Sequence, residues 1–446
     1  MQQVDTILHA RWIIPVNPDG LVLEQHAVII HDGRILGIVP RREAESRFSA
    51  RTTLQFGHHA LMPGLINTHT HAAMTLFRGL ADDLPLMTWL NDHIWPAESD
   101  WVNSDFVRDG TELAIAEMLR GGTTCFNDMY FFPDQAARVA TDCGMRAAIG
   151  LIVIDFPTAW AADTDEYLAK GIELQDRYRN DPLITTVFAP HAPYTVSDAP
   201  LQRVLTLAEE LDLPIHMHVH ETADEVNQAE AGHGCRPLQR LENLGLLSDR
   251  LLAVHMTQLT DDEIARVARY GAHVVHCPES NLKLASGFCP LARLHAEGIN
   301  VALGTDGAAS NNDLDMFGEM RTAALLAKAV SGDASAIPAT TALRMATLNG
   351  ARALGIDSVT GSLETGKAAD IIAVRLDDLE VQPVYHPVSH IVYACGRDKV
   401  TDVWVAGRHV VKDRQLTTLD ENQIRQKTTR WQEKIAAGDE RHGHHD

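Results

Sequence analysis

Short apolar runs alternate with amphipathic stretches through the middle of the chain. Eight such runs have the length and composition of buried strands, at residues 65–70, 123–128, 147–153, 184–190, 214–220, 252–255, 273–276 and 300–304. Between most of them apolar residues recur with helical spacing, as in residues 113–119 before Gly121 and Gly122. Closed parallel sheets bury both strand faces, so this pattern predicts a (β/α)8 barrel. An open doubly wound sheet is less favoured, because no G-x-G-x-x-G follows the first strand.

Both ends of the chain carry strand-like segments. Residues 27–31 and 34–39 flank Asp32-Gly33, a typical hairpin turn, and further strands are predicted at 370–374, 402–406 and 409–411. Neither end is long enough to bury a core alone, so we expect the two ends to pair. The predicted organisation is one half of a small β-sandwich at 1–60, the barrel at 61–362, and the other half with a tail at 363–446. Two helical runs, near 315–330 and 339–354, follow the eighth strand.

Composition narrows the class of protein. The chain has 446 residues, 45% of them hydrophobic, and a net charge of -22, which argues against nucleic acid or an anionic membrane as a partner. Its six cysteines are scattered without a C-x-x-C pair, which favours reduced thiols and excludes the zinc pattern of cytidine deaminases. The first residues do not resemble a signal peptide, and no apolar run has membrane-spanning length. We therefore expect a cytoplasmic protein.

Histidine and aspartate occupy the ends of five predicted strands. They are His69 and His71, His191, the trio His216, His218 and His220, then His255, and finally Asp306. In a barrel these ends meet at one face, where catalytic residues collect. A single histidine there could be packed and hydrogen-bonded, but five polar strand ends are hard to explain by packing. The pattern predicts a metal site rich in imidazole ligands, which suits zinc. Spacing alone does not choose among the three histidines of strand five.

This set of residues resembles the amidohydrolase superfamily. The superfamily pattern is His-x-His, a strand-five His, a strand-six His and a strand-eight Asp, on a barrel with a composite β-sandwich. No lysine is found near His191, where binuclear members carry a bridging lysine, so the resemblance implies one divalent metal per chain. It implies zinc first, with iron or manganese as alternatives. The implied ligands are His69, His71, His218 and Asp306, which leaves His216 and His220 as structural residues.

The resemblance also implies the acid–base groups. Asp306 would take a proton from the attacking water, and His255 would orient that water and stabilise the charge forming on it. Glu221 would protonate a ring nitrogen and then carry protons to the leaving group. The alternative for Glu221 is a helix-capping carboxylate, since a helix start follows at Thr222. Protonation of a ring nitrogen favours hydrolytic deamination of an aromatic heterocycle.

Within the superfamily the chain resembles the 5'-methylthioadenosine/S-adenosylhomocysteine deaminases. The matching stretches are residues 63–71, 89–98, 190–194, 276–284 and 304–312. The resemblance implies that Glu98 holds the ribose hydroxyls, since one carboxylate can accept two hydrogen bonds from a vicinal diol. His191 is a second candidate for the sugar or its 5' substituent, and Trp89 would pack on the base or line the 5' pocket. The alternatives are a surface role for Glu98 and a local anchor for Trp89.

The predicted activity is therefore hydrolysis of 6-aminopurine nucleosides, namely methylthioadenosine, S-adenosylhomocysteine and adenosine, to inosine analogues and ammonia. The alternatives are another mononuclear amidohydrolase, such as a guanine or cytosine deaminase or a triazine chlorohydrolase, and a non-catalytic barrel scaffold. Arg177 and Arg179 lie in the region that meets the substrate tail in the family, and both stay unassigned. The family resemblance implies a homodimer or homotetramer. The histidine-rich residues 442–445 are expected to form a surface tail.

Overall fold

The computed structural model describes residues 1–442, with sixteen strands in that part of the chain. They are β1 (Gln2–Ile13), β2 (Leu23–His31), β3 (Arg34–Pro40), β4 (Phe48–Pro63), β5 (Leu65–Thr70), β6 (Thr123–Asp128), β7 (Arg146–Val153), β8 (Ile184–Pro190), β9 (Ile215–Val219), β10 (Leu251–His255), β11 (His273–His276), β12 (Val301–Leu303), β13 (Ile371–Arg375), β14 (Val400–Val405), β15 (Arg408–Lys412) and β16 (Gln415–Leu416). Most of the histidine-rich tail lies outside the described residues.

Seventeen α-helices connect these strands within residues 1–442. They are α1 (Arg41–Arg47), α2 (Leu86–Thr88), α3 (Trp95–Trp101), α4 (Ser104–Arg120), α5 (Pro133–Cys143), α6 (Thr164–Tyr178), α7 (Asp198–Leu211), α8 (Ala223–His233), α9 (Pro237–Asn243), α10 (Asp261–Tyr270), α11 (Pro278–Lys283), α12 (Leu291–Ala296), α13 (Met316–Ser331), α14 (Ala339–Met345), α15 (Leu348–Ala353), α16 (Pro387–Tyr393) and α17 (Glu421–His442). Short 3₁₀ helices span Ala72–Phe77, Leu379–Val381 and Arg397–Lys399, and a π-helix spans Trp89–Ile94. None of these helices is both long and apolar enough to cross a membrane.

Strands β5 to β12 form a parallel sheet in sequence order. Its edges meet where the Asp306 amide donates to the His69 carbonyl at 3.0 Å and the Thr68 hydroxyl donates to the Leu303 carbonyl at 2.6 Å. Gly304 permits this approach, because a Cβ there would lie 2.8 Å from the His69 backbone nitrogen. The predicted barrel is confirmed, and its strands are buried on both faces.

The two chain ends build a second sheet with the strand order β16-β15-β14-β13-β4-β1-β2-β3. The predicted hairpin around Asp32-Gly33 is confirmed, with His31 paired to Arg34. Strand β13, from the far end of the chain, pairs antiparallel with β4. The prediction that both chain ends contribute to one β-structure beside the barrel is therefore confirmed. The first sixty residues contain longer strands than expected, since β1 has 12 residues and β4 has 16.

A buried ion pair ties this second sheet to the barrel. Arg146, at the start of β7, donates from Nε to Asp370 at 2.9 Å and from Nη1 to the Pro182 carbonyl at 2.9 Å. The Asp370 side chain is fully buried, and it also accepts from the Ala406 amide at 2.6 Å. The pair holds the base of the barrel, at the start of β7, against β13 and β14.

Candidate active site

The carboxyl ends of the barrel strands surround a cleft. Its polar lining includes His71, His191, His218, Glu221, His255 and Asp306, and apolar side chains such as Trp89, Ile94, Phe156 and Leu284 line the remainder. His69 lies directly beneath this lining and is fully buried. The nine residues that the sequence predicts to bind the metal, act in catalysis or contact the substrate all lie in or next to this one cleft. It combines an apolar wall with a few converging polar groups, as small-molecule sites do.

Three histidines point ring nitrogens at a common position. Ring nitrogens of His69, His71 and His218 lie within 4.8 Å of one another. His71 Nδ1 lies 2.5 Å from the Met129 carbonyl oxygen, and His218 Nδ1 lies 2.7 Å from the His191 carbonyl oxygen. A carbonyl only accepts, so in each ring Nδ1 carries the hydrogen and Nε2 keeps its lone pair. Both rings are therefore oriented to bind a metal through Nε2.

The three histidines predicted on the fifth barrel strand have different surroundings in the structure. His218 lines the cleft, whereas His216 lies deeper, with its Nε2 3.0 Å from His69 Nδ1. His220 Nε2 accepts a hydrogen bond from the Leu238 amide at 3.0 Å and lies 3.7 Å from Glu263. His216 thus orients His69 from below, and His220 joins the end of β9 to α9.

Asp306, which follows the eighth barrel strand β12, lies beside these histidines. Its Oδ1 lies 3.2 Å from His69 Nε2 and 3.3 Å from His71 Nε2. Its Oδ2 accepts from the hydroxyls of Ser280 at 2.6 Å and Ser310 at 2.9 Å. Burial opposes ionisation of this carboxyl, but the contact with His69 and the nearby imidazoles outweigh burial and hold its pKa well below the usual value. Asp306 is therefore ionised at neutral pH.

Glu221 is buried beside these ligand candidates. Its Oε1 lies 3.4 Å from the Ser286 hydroxyl. Burial, reinforced by the charges of Asp306 and Glu225, raises the pKa of Glu221 well above the usual value. The following helix is capped by the Thr222 side chain, which accepts from the Glu225 amide. Since Thr222 supplies the cap, the carboxyl of Glu221 is available to the cleft as a proton donor.

His255 lies between Glu221 and the ligand candidates. Its Nδ1 accepts from the Asn281 side-chain amide at 3.0 Å, so its Nε2 carries the hydrogen and faces Glu221 Oε2 at 3.7 Å. Burial lowers the pKa of His255 to about 3, which keeps the ring neutral. The backbone at His255 has φ +76°, a left-handed conformation that is unfavourable for histidine. The fold keeps this strained turn where β10 ends at the cleft.

The opposite wall of the cleft comes from residues 86–101, which we call the roof segment. It contains α2, the π-helix and α3, and it contributes Trp89 and the half-buried Glu98 to the lining. Burial raises the pKa of Glu98 to about 7, while interaction with the Tyr130 hydroxyl opposes that rise. Trp89 donates from Nε1 to the Ala81 carbonyl at 3.1 Å, so it is both a local anchor and part of the wall.

His191 lies at the rim beside His218. Its Nδ1 is 2.9 Å from the Thr195 hydroxyl, and burial lowers its pKa to about 3, so the ring is neutral. The two unassigned arginines lie elsewhere. Arg177 forms an exposed ion pair with Glu173 on α6, and Arg179 likewise pairs with a neighbouring aspartate. Neither arginine lines the cleft.

Several polar contributors were not identified individually from the sequence. Ser280 and Ser310 bind Asp306, Asn281 binds His255, and Tyr130 faces Glu98. The first three lie in the stretches 276–284 and 304–312 that carry the family resemblance, so the signal was present there. Tyr130 follows the end of β6, and the fold of the roof segment brings Glu98 close to it.

Comparison with known proteins gives consistent results. The amidohydrolase family matches residues 60–410. A 5-methylthioadenosine/S-adenosylhomocysteine deaminase from Saccharophagus degradans is 54% identical over 433 residues, 97% of each chain. One of the same name from Teredinibacter turnerae is 52% identical over 434 residues, covering 97% of this chain and 98% of that protein. The crystal structure of an adenosine deaminase from Xanthomonas campestris with bound zinc superposes with a TM-score of 0.97 at 54% identity, covering 98% of this chain and 99% of that chain.

Proposed function

Because the chain belongs to the amidohydrolase family, we propose that it hydrolyses 6-aminopurine nucleosides to the inosine analogue and ammonia. The proposed substrates are 5'-methylthioadenosine and S-adenosylhomocysteine, with adenosine as a third. One observation carries the proposal: a buried, protonated Glu221 faces the same cleft as three metal-binding imidazoles and an ionised Asp306. The names of the relatives at 52% and 54% identity support the choice of substrates.

The donor set fits one divalent metal ion. His69 Nε2 is buried and makes no hydrogen bond, although Asp306 Oδ1 lies 3.2 Å away. Burial lowers the pKa of His69, and burial together with the neighbouring imidazoles lowers that of His218, so these rings are neutral and free to coordinate. Three imidazoles and one carboxylate suit zinc, and they also accept iron or manganese. When bound, the metal supplies a water activated for attack near neutral pH.

Side chains of this protein carry out the proton transfers of the reaction. Ionised Asp306 accepts a proton from the attacking water while the water oxygen forms a bond to C6 of the purine. Protonated Glu221 donates to N1, which draws electrons away from C6, and later carries a proton to the departing amine. His255 donates its Nε2 hydrogen to the oxygen on which charge develops. The proton that Glu221 carries to the amine comes from the new hydroxyl group on C6, so ammonia leaves and the oxygen from water stays on C6 as a carbonyl. The proton held by Asp306 then returns to Glu221.

The other end of the cleft supplies recognition of the nucleoside. Glu98, when ionised, accepts hydrogen bonds from the two ribose hydroxyls. His191 is placed at the rim for a further contact with the sugar or its 5' group. Trp89 provides an aromatic wall for the base or the 5' substituent. These assignments separate a nucleoside deaminase from guanine or cytosine deaminases and triazine hydrolases, which need no group for ribose.

The test is ammonia release by purified, metal-quantified protein from methylthioadenosine, S-adenosylhomocysteine, adenosine, adenine and guanine. We expect turnover of the nucleosides and none of the free bases. Turnover of a free base alone, or of no compound with one metal bound per chain, would contradict the substrate assignment. A metal-free, inactive protein would instead support a scaffold role. The homodimer or homotetramer stays a prediction, which sedimentation would test, and so does the cytoplasmic location.

A further inference from the structure

The C-terminal helix leaves the second sheet and packs on the barrel. Helix α17 follows β16, yet it lies along α4 on the outside of the barrel. Lys427 donates to Glu112 at 2.5 Å, and the Trp431 indole donates to Asp109 at 3.1 Å. Trp431 and Ile435 are 6% and 5% exposed, so the helix has a firmly buried face.

Aromatic rings connect this helix to the turn beside the candidate metal ligands. The ring of Trp431 meets that of Phe106 edge to face, with centroids 5.2 Å apart. Phe106 packs on Phe77 with centroids 4.7 Å apart. Phe77 is the last residue of the 3₁₀ helix that begins immediately after His71. Two successive ring contacts therefore connect α17 to that 3₁₀ helix.

The same apolar cluster also holds the roof segment. Its buried members include Trp89, Leu90 and Ile94, which line the cleft, together with Trp431 and Ile435 from α17. This cluster is distinct from the main barrel core. The inner face of the roof segment is consequently packed on a small cluster to which α17 contributes two large side chains.

A second contact joins α17 to the end of the roof segment. A Cβ at Gly438 would lie 2.3 Å from Cζ2 of Trp101, closer than packed atoms approach. Trp101 ends α3, one turn after Glu98. The close approach of glycine to this indole lets α17 fix the turn that carries the proposed ribose-binding carboxylate.

We propose that α17 is a positioning element for substrate binding, with Trp431 and Gly438 holding Trp89 and Glu98 of the roof segment in place. The inference rests on the proposed nucleoside deamination for its kinetic consequence. Neither Trp431 nor Gly438 lines the cleft. Their effect is therefore expected on KM, with kcat and metal content nearly unchanged.

The first test is Gly438→Ala in the full-length protein. Alanine favours the helix, so a loss of function would not come from helix propensity. The added methyl group must displace Trp101, and we expect KM for methylthioadenosine to rise about tenfold, since small misplacements of binding groups are costly. Gly232→Ala on α8 is the matched control, because a Cβ there meets nothing within 4 Å. Its KM should equal that of the wild type.

The second test compares Trp431→Ala, Trp431→Phe and Ile424→Ala. Ile424 is 4% exposed on the same helix but lies outside the cluster. We expect Trp431→Ala to raise KM, Trp431→Phe to restore it, and Ile424→Ala to lower stability only. An unchanged KM in both Gly438→Ala and Trp431→Ala, or an equal rise in Ile424→Ala, would overturn the proposal.

Hydrogen exchange of residues 86–101 gives a readout that does not depend on the substrate. Trp431→Ala should speed exchange in this segment, and Ile424→Ala should not. If the wild type deaminates no nucleoside, the proposed function fails, while faster exchange in Trp431→Ala would still support the positioning role. Equal exchange rates in all variants would overturn that role even in an active enzyme.

Discussion

Replacing Glu221 by glutamine removes the proposed proton donor with little change of shape. The amide keeps the size of the carboxyl and can still meet the Ser286 hydroxyl, now 3.4 Å from Oε1. Burial of this carboxyl, only 5% exposed, already disfavours its charged form, so an uncharged amide should not destabilise the fold. The metal-ligand candidates are untouched. What is lost is the proposed proton transfer to N1 and to the leaving amine.

General acid–base catalysis by a positioned side chain is worth about 10²–10⁴ in rate. Glu221→Gln should therefore lower kcat by that factor, equivalent to about 2.7–5.4 kcal/mol of transition-state stabilisation. The assay is ammonia release from methylthioadenosine, with metal content and unfolding midpoint measured on the same preparation. Glu319→Gln is the control, because Glu319 is also fully buried with a raised pKa but lies outside the cleft. A loss smaller than tenfold with metal retained would refute Glu221 as the donor.

Two further predictions concern recognition and stability. Glu98 has a pKa raised to about 7, so it is protonated below that pH and ionised above it. We therefore expect kcat/KM for methylthioadenosine to rise as the pH increases through 7. The variant Glu98→Gln should lose this rise and have a higher KM. A pH profile unaltered by Glu98→Gln would rule out this role. Arg146→Met leaves Asp370 buried without its charged partner and should lower the free energy of unfolding by about 3–5 kcal/mol in urea titrations, whereas Arg177→Ala, at an exposed pair, should change it by less than about 1 kcal/mol. Equal effects of the two would contradict the structural role of the buried pair.

The barrel could be predicted because its strands are continuous apolar runs. Such runs are distinctive when both faces of a strand are buried, and the ends of the predicted strands lie within one residue of those of β5 to β12. Strands β1 and β4 were not among the individually predicted strands. In both, buried and exposed positions alternate irregularly, so neither strand carries a clear period.

The helical run at 339–354 shows a different limit. The structure divides it into α14 and α15 at Ala346 and Thr347. The carbonyl of Ala346 accepts a hydrogen bond of 2.8 Å from the amide of Ile66, so a backbone amide near the start of the first barrel strand has its hydrogen-bond partner here. That contact joins residues 280 positions apart, so local propensity gives no sign of it.

The residues of the candidate site could be predicted only in part from the sequence, for a similar reason. Strand-end histidines could be recognised because a barrel brings all strand ends together. The choice of His218 over His216 and His220 needed the family resemblance, since all three share one face of the strand predicted at residues 214–220. The serines around Asp306 depend on distances between separate loops, which only the fold sets.

The measurement that tests the central claim most directly is metal titration of the chelator-treated protein. Zinc is added in steps while bound zinc and deamination of methylthioadenosine are measured together. One site built from His69, His71, His218 and Asp306 predicts activity that rises linearly and levels off at one zinc per chain. His218→Ala, which removes one proposed ligand, should weaken zinc binding and abolish that rise. Full activity without metal, or a plateau only at two per chain, would contradict the account.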